Sequence, residues 1–393
     1  MKLYYQDSHV TIYNSDCRSM QELPDNAVQC CVTSPPYWGL RLYKGNQDLE
    51  WGTWNGQLGL EPTPELYLDH LVQIFREVKR VLRPDGVAWI NVGDSYFGSG
   101  QGKGSDHGKA VTTDNDISPP KYSGNGILKP KDLCLIPFRL AIALQMDGWW
   151  VRSVIIWQKP NPMPESVKDR PTESHEYILM LTKSAKYYFD MEAVKEPAKD
   201  WGVRDRSNFR NGTSDSMLKH HGLDNCNNAA SGRNLRSVWT FPTASYRGSH
   251  FAVFPEALPE RCIKAATSEV GHCSRCGMPW VRVVEKKSSS FNIRVRDAKA
   301  GRATSEEGYQ ATQKEMDNYQ GNHPEQGYQK TIGWKAQCTC NALAEPDIVL
   351  DPFGGTGTSA WVAKKLGRKA VIYELSEEYC KLAVERNKQQ VMI

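Results

Sequence analysis

The stretch Ile348-Val349-Leu350-Asp351-Pro352-Phe353-Gly354-Gly355-Thr356-Gly357-Thr358-Ser359 decides the fold of this chain. Its apolar start reads as a buried parallel strand, and the glycines that follow at once read as a tight turn. Ser359 to Leu366 carries a helical pattern, with Trp361, Val362 and Leu366 toward one side and Gly367 as its stop. A second strand, Ala370-Val371-Ile372-Tyr373, ends in Glu374. Together these make half of a βαβ unit, in which glycines let a ligand approach the backbone. A carboxylate about 20 residues beyond such a turn can accept hydrogen bonds from ribose hydroxyls.

A glycine turn on its own serves steric ends as often as binding, so its neighbours have to decide. No Lys-Ser or Lys-Thr pair follows the glycines, which excludes a triphosphate-binding P-loop. Asp351 opens the turn, and its charge disfavours a pyrophosphate. It suits a ligand with a cationic group, such as the ammonium or sulfonium of S-adenosylmethionine (AdoMet).

The chain has 393 residues and 39% apolar content, enough to bury one large core or two modest ones. A net charge of +4 announces no polybasic tail, although a local groove could still be positive. Met1 to Asp7 holds no uninterrupted apolar run, so neither a signal peptide nor a membrane span is expected. Eleven cysteines are too few for a disulfide scaffold at this length. In a reducing cytosol they are core residues, ligands or nucleophiles. No internal repeat is visible.

Near the start, Val10-Thr11-Ile12-Tyr13 alternates as a strand and leads into Asn14-Ser15-Asp16, where Asp16 alone would be an ordinary turn former. A helical stretch is expected next, broken at Pro24-Asp25-Asn26. Ala27 to Thr33 then reads as a buried strand running into Ser34-Pro35-Pro36-Tyr37-Trp38-Gly39. Two prolines lack N–H donors and fix φ, so the chain leaves the sheet stiffly with carbonyls expected to point outward. Such an acceptor cluster beside a flat ring suits the exocyclic amino group of a planar base. A plain proline-capped strand end is the competing reading.

Thr33 to Trp38, followed much later by Asp351 to Gly357, resembles the β-group amino-methyltransferases of DNA. The resemblance extends through Leu82-Arg83-Pro84-Asp85-Gly86 and the strand Val87 to Val92. It continues through Ile155 to Glu165, Ser174 to Leu179, Phe251 to Leu258 and Gly367-Arg368, most of the chain apart from three insertions. It implies an α/β, Rossmann-like AdoMet-dependent methyltransferase fold, circularly permuted so that the catalytic motif precedes the AdoMet motif. The connecting pattern fits: Leu66 to Leu82 and Leu133 to Met146 read as amphipathic helices, and strands are expected at 87–92, 151–157 and 177–182. The expected division is a catalytic part at 1–190, a target-recognition region at 191–249, an AdoMet-binding part at 250–270 and 346–393, and a zinc-knuckle insertion at 271–345. The resemblance also implies DNA as partner, a bacterial, archaeal or phage-infected cytoplasm as setting, and any cognate restriction nuclease as a separate chain.

Three insertions stand out. Residues 98–130 are rich in Gly, Ser, Asp and Lys, reading as a disordered surface loop or a DNA-contacting flap. Residues 195–249 carry Arg204, Arg206, Arg210, Lys219, His220, His221, Arg233, Arg236 and Arg247 interleaved with Asn, which suits phosphate and base-edge contacts. The third opens with Cys273-Ser274-Arg275-Cys276-Gly277 and closes with Cys338-Thr339-Cys340. Two thiol pairs across roughly 60 residues make a four-thiolate tetrahedral set for structural zinc, with unligated or redox-active thiols as the alternative. Cys17, Cys30, Cys31, Cys134, Cys226, Cys262 and Cys380 read as core or incidental.

The chemistry expected is transfer of a methyl group to the N4 amine of a cytosine flipped out of the duplex. Ser34 Oγ and the Pro35 carbonyl would accept the amine's N–H bonds beside Pro36, and Tyr37, with Trp38, would stack on the base. No cysteine nucleophile is needed. On the donor side Phe353, Gly354, Gly355, Thr356 and Gly357 would hold the methionine part, with Asp351 near its charged end and Glu374 on the ribose. By resemblance, Asp16 contacts the adenine amine and Phe353 packs on the cofactor. The resemblance further implies that Ser34, standing where Asp can head the motif in that family, favours N4-cytosine over N6-adenine. A catalytically silent DNA-binding protein and an RNA methyltransferase stay open as other readings.

Overall fold

The computed structural model describes residues 2–39, 47–98, 127–197, 232–244, 254–287 and 328–389. Nearly all of the expected loop at 98–130 falls outside them. So do Phe251 to Val253, Cys226 and seven of the basic residues named for the recognition region, Arg233 and Arg236 being the two described.

The strands in chain order are β1 (Lys2–Gln6), β2 (Val10–Asn14), β3 (Val28–Thr33), β4 (Leu49–Glu50), β5 (Asn55–Gly56), β6 (Leu82–Val92), β7 (Trp150–Gln158) and β8 (His175–Thr182). They continue with β9 (Val238–Thr240), β10 (His272–Cys273), β11 (Trp280–Lys287), β12 (Tyr328–Ala336), β13 (Ala344–Glu345), β14 (Ile348–Asp351) and β15 (Lys369–Glu374). The described helices are α1 (Pro64–Val81), α2 (Ile136–Met146), α3 (Ala257–Ala266), α4 (Thr358–Lys365) and α5 (Glu377–Asn387). Nine strands form one sheet in the order β1-β2-β15-β14-β3-β6-β8-β7-β9. β2, β15, β14, β3 and β6 run parallel to one another, while β8 runs against β6.

A parallel sheet covered on both faces needs strands apolar throughout, and every residue of β3 is buried. Cys31, Ala88, Ile90 and Leu350 share one apolar cluster with Leu71, Ile74 and Phe75 of α1 and Leu140 and Leu144 of α2. On the other face α3 and α4 pack on β3, β14 and β15. α1 starts where its sequence dictates: Thr63 Oγ1 accepts the N–H of Leu66, Pro64 occupies the first turn, and Lys79 and Arg80 sit in the last.

The chain divides into two compact units. Met1–Asp190, Arg236–Pro279 and Cys338–Ile393 form the first, which holds the whole nine-stranded sheet. Met191–Leu235 and Trp280–Gln337 form the second. In the second, β11 and β12 pair antiparallel, and the Arg282 guanidinium lies 4.4 Å from the Trp334 ring centre. Thus the expected recognition region and the expected knuckle insertion both contribute to one unit, whereas the four cysteines fall with the sheet.

Some expectations need correction. The residues between β2 and Pro24 form turns rather than a helix. Met20 donates its N–H to Glu77, and Arg80 binds the carbonyls of Met20 and Leu23, so α1 supplies the partners a helix would have supplied itself. The buried side of α4 is built from Ala360, Val362 and Ala363 with Thr358 and Ser359, not from Trp361 and Leu366. Small residues there let the helix lie close to the sheet.

Candidate active site

The five parallel strands discharge their loops at one end of the sheet, the carboxyl end, where ligands bind in open α/β folds. The Asn14–Arg18 turn follows β2, the Pro-Pro-Tyr loop follows β3, and Gly93 follows β6. The glycine turn follows β14 and Glu374 closes β15. Because Tyr177 of β8 pairs with Val92, His175 and Glu176 also lie at this end.

Asp351 is the stitch between the two motifs. It is buried, and its Oδ1 accepts from Thr33 Oγ1 at 2.6 Å and from the Phe353 N–H at 3.1 Å. Its Oδ2 accepts from Ser359 Oγ. One carboxylate therefore joins the last residue of β3, the glycine turn and the first turn of α4. Burial raises its pKa, and these hydrogen bonds oppose the rise. Sequence placed Asp351 facing a cationic ligand; both its oxygens have partners inside the protein.

The glycines of the turn divide the labour. Gly354 donates its N–H to the Tyr373 carbonyl at 2.8 Å, and a Cβ there would lie 2.9 Å from that of Ile372. Gly357 has φ +73°, and a Cβ would lie 2.6 Å from Asn387 Nδ2. Gly355, at φ +51°, is different. The nearest atom to its absent Cβ is the Phe353 carbonyl oxygen at 3.9 Å, so the backbone there faces open space. Its N–H donates to Glu374 Oε2 at 2.8 Å, while Glu374 Oε1 accepts from the Ser376 N–H at 2.8 Å. Burial pushes the Glu374 carboxyl up to about 7. An open glycine backbone beside a terminal carboxylate fits a nucleoside donor with free ribose hydroxyls. Thr356 is buried and accepts from Arg386, and Phe353 is half-buried against the main apolar cluster.

Asp16 sits at the neighbouring strand end, since Asn14 pairs with Glu374 and donates to its carbonyl. Its carboxylate is held by the backbone and guanidinium of Arg18, and that guanidinium lies 4.4 Å from the Trp51 ring.

The Pro-Pro-Tyr loop departs further from expectation. Tyr67 donates its hydroxyl to the Pro36 carbonyl at 2.7 Å, so that carbonyl turns inward. Trp38 is 2% exposed and donates its ring N–H to the Glu61 carbonyl, so it is a core residue and not a stacking surface. Tyr37 donates its hydroxyl to Glu176 Oε2 at 2.7 Å and accepts from Asn91 Nδ2. Asn91 Nδ2 also donates to Glu176 Oε2 at 2.6 Å, and Lys159 pairs with Glu176 Oε1. Ser34 Oγ stands 3.4 Å from the Tyr37 hydroxyl. A Cβ on Gly93 would lie 2.7 Å from the Tyr37 ring. Burial, then the charge of Glu176, drive the tyrosine pKa well above 10, so it remains a donor.

Asn91, Gly93, Lys159 and Glu176 were not among the site residues read from sequence. Asn91, Lys159 and Glu176 stood in family-like stretches, and that was their only signal.

Cys273, Cys276, Cys338 and Cys340 converge, their sulfurs all within 4.8 Å of one another. A tetrahedral zinc with Zn–S of about 2.3 Å spaces its sulfurs by roughly 3.8 Å, so the set fits with little adjustment. Gly277, at φ +74°, returns its N–H to the Cys273 carbonyl at 2.8 Å and closes the knuckle turn. The backbone N–H groups of Cys276 and then Arg275 lower the Cys273 thiol to about 6. By contrast Cys17, Cys30, Cys31, Cys134, Cys262 and Cys380 are buried, with pKa values raised by burial. They are core residues, as read. No described helix is long and apolar enough to cross a membrane.

Comparison with known proteins agrees with this geometry. Residues 28–273 and 297–385 match the family model described as DNA methylase, of the N6/N4 methyltransferase class. Type II methyltransferase M.SmaI of Serratia marcescens is 36% identical over 368 residues, covering 94% of this chain and 87% of that protein. Type II methyltransferase M.Cfr9I of Citrobacter freundii is 43% identical over 258 residues, 65% of this chain and 72% of that one. The solved structure of PvuII DNA methyltransferase (cytosine-N4-specific) superposes with a TM-score of 0.52 at 15% identity, covering 100% of this chain and 90% of that chain. That likeness speaks to the fold. The extent of the family match places this chain among the DNA methylases, the AdoMet-dependent amino-methyltransferases of the N6 and N4 class.

Proposed function

We propose that this protein methylates the exocyclic N4 amine of cytosine in DNA, acting on a base flipped out of the duplex. The observation that carries the reading is the contact of Thr33 with Asp351, which sets the acceptor loop and the glycine turn side by side. AdoMet supplies an electrophilic methyl group when bound. The glycine backbone around Gly355 and the carboxylate of Glu374 would hold its nucleoside and methionine parts, and Asp16 would lie toward its adenine. Ser34 Oγ and the Pro35 carbonyl accept the two N–H bonds of the cytosine amine. That frees the nitrogen lone pair from the ring and aims it along one line, a positional and electrostatic contribution. Ser34 at the head of the motif supports cytosine over adenine.

The order of motifs, acceptor loop before glycine turn, supports a circularly permuted form of the fold. The Type II names of the relatives support a role as the modifying half of a restriction-modification pair, in the cytoplasm, with the nuclease on another chain. We assign the four cysteines to structural zinc, which would fasten a long polar insertion that buries too little apolar surface to fix itself. Metal analysis of the purified protein should find one zinc per chain, lost together with Cys276→Ser; a zinc-free native protein removes the assignment. Digestion of modified DNA should yield N4-methylcytosine. N6-methyladenine as the sole product overturns the choice of base, and no transfer at all overturns the enzymatic reading.

A further inference from the structure

From Ser34 a chain of hydrogen-bonding groups runs between the acceptor loop and β8 through Tyr37, Glu176, Lys159 and Asn91, four residues that the assignment above does not use. We propose that Glu176 is the proton acceptor of the reaction, reached from the amine through the hydroxyls of Ser34 and Tyr37. This rests on the amino-methyltransferase reading and adds a residue and a path to it.

Hydrogen-bond donors fix the polarity of the chain. Asn91 Nδ2 points at both the Tyr37 oxygen and Glu176 Oε2, at 2.5 and 2.6 Å. The opposite amide orientation would set Asn91 Oδ1 against a carboxylate, so the nitrogen belongs there. Asn91 therefore occupies one acceptor position on the tyrosine oxygen. With a carboxylate in front of it, that hydroxyl has one outlet for its proton, Glu176 at 2.7 Å. The tyrosine oxygen is left able to accept from Ser34 Oγ. Ser34 Oγ, having given its proton toward Tyr37, turns its lone pairs to the amine. Every link then points one way, from amine to carboxylate. Lys159 pairs with Oε1 of Glu176, which leaves Oε2 facing Tyr37 and Asn91. The Ser34–Tyr37 separation of 3.4 Å is the loosest link; catalytic hydrogen bonds in ligand-free enzymes are commonly long and tighten with substrate.

The step balances. The amine's lone pair forms the N–C bond as the C–S bond breaks, and the electron pair of that bond stays on sulfur, neutralising the sulfonium. The nitrogen is now cationic and gives its proton to Ser34 Oγ. Ser34 passes its own proton to Tyr37, and Tyr37 passes its proton to Glu176, which ends as a neutral acid and then releases that proton to solvent. Neither hydroxyl ionises outright, as the raised tyrosine pKa requires. A serine-headed motif has no charge of its own, and the chain lends it the carboxylate of Glu176.

The test uses the 393-residue protein with DNA bearing its target site in unmethylated form. Glu176→Gln and Tyr37→Phe should each slow single-turnover methyl transfer about 100-fold while DNA and AdoMet affinities stay within threefold. The double variant should be no slower than either single one, because the groups act as one chain. The acid limb of the pH–rate profile should vanish in Glu176→Gln. In the free protein, a downfield hydroxyl proton of Tyr37 should be visible by NMR and absent in both variants. Additive losses, or an unchanged acid limb in Glu176→Gln, overturn the relay. Ser34→Ala separates the two levels of the argument: if it is inactive while Glu176→Gln is fully active, the methyltransferase site stands and the relay falls. If both are fully active, the site itself is misplaced.

Discussion

The two loops at the carboxyl end of the sheet are held in opposite ways. The glycine turn is fixed by its own backbone: Gly354 bonds to Tyr373, Gly355 to Glu374, and Gly357 back to Gly354. The Pro-Pro-Tyr loop has prolines where donors would be, so side chains from elsewhere hold it. Tyr37 is tied to Asn91, 54 residues on, and to Glu176, 139 residues on. In the function proposed above, one loop would grip the donor through main chain and the other would aim side-chain acceptors at one atom. The difference predicts that damage to the first should show in donor affinity and damage to the second in turnover.

Asp351 is where both loops meet, so breaking it should have the largest effect and blur the distinction. In Asp351→Ala the Thr33 hydroxyl, the Ser359 hydroxyl and the Phe353 N–H lose their acceptor in a buried place. Unsatisfied buried donors cost about 1–3 kcal/mol each, so a loss of about 3 kcal/mol or more is expected. Urea unfolding should show it as a lower midpoint at unchanged slope, and AdoMet binding and turnover should fail together. A stable variant with full affinity would mean the stitch is ornamental.

Gly93→Ala should sharpen the contrast by touching the acceptor loop alone. Its Cβ would meet the Tyr37 ring at 2.7 Å, and the ring would have to shift while its hydroxyl is held. A misplacement near 1 Å at a reacting centre costs on the order of 100-fold in rate. Turnover should drop by about that factor with donor affinity unchanged, measured by single-turnover kinetics and calorimetry. A parallel loss of AdoMet affinity would show that the loops are not independent.

These partners also explain what sequence could and could not disclose. The glycine turn, Asp351 and Glu374 lie within one βαβ half-unit, so local sequence placed them together, although Asp351's bond to the distant Thr33 was not legible there. The cysteine pairs were legible because a knuckle turn and thiol chemistry constrain local spacing tightly. Trp38 was misplaced because nothing near it in sequence reveals that Glu61 takes its N–H. The inward turn of the Pro36 carbonyl depends in the same way on Tyr67. Asn91 and Glu176 stand on strands β6 and β8, and only the antiparallel pairing of those strands brings them to Tyr37. Local pattern named the two loops; strand order chose their partners.

The smallest effect concerns the glycine turn alone. Glu374 is half-buried and its carboxyl is raised from 4.5 to about 7, desolvation being the first cause. A raised carboxyl keeps its proton in the folded state between about 4.5 and 7, so its contribution to stability falls as pH rises through that window. Donor binding runs the other way. Ribose hydroxyls donate better to a carboxylate than to a neutral acid, so the apparent Kd for AdoMet should weaken by up to about tenfold per pH unit below 7. Glu374→Gln should bind more weakly at pH 8 and lose that slope, while the rate of the bound complex changes little. Calorimetry between pH 5.5 and 8 decides it. An affinity that follows pH equally in both proteins would move the titrating group away from Glu374, and with it the claim that this loop grips through its backbone and one carboxylate.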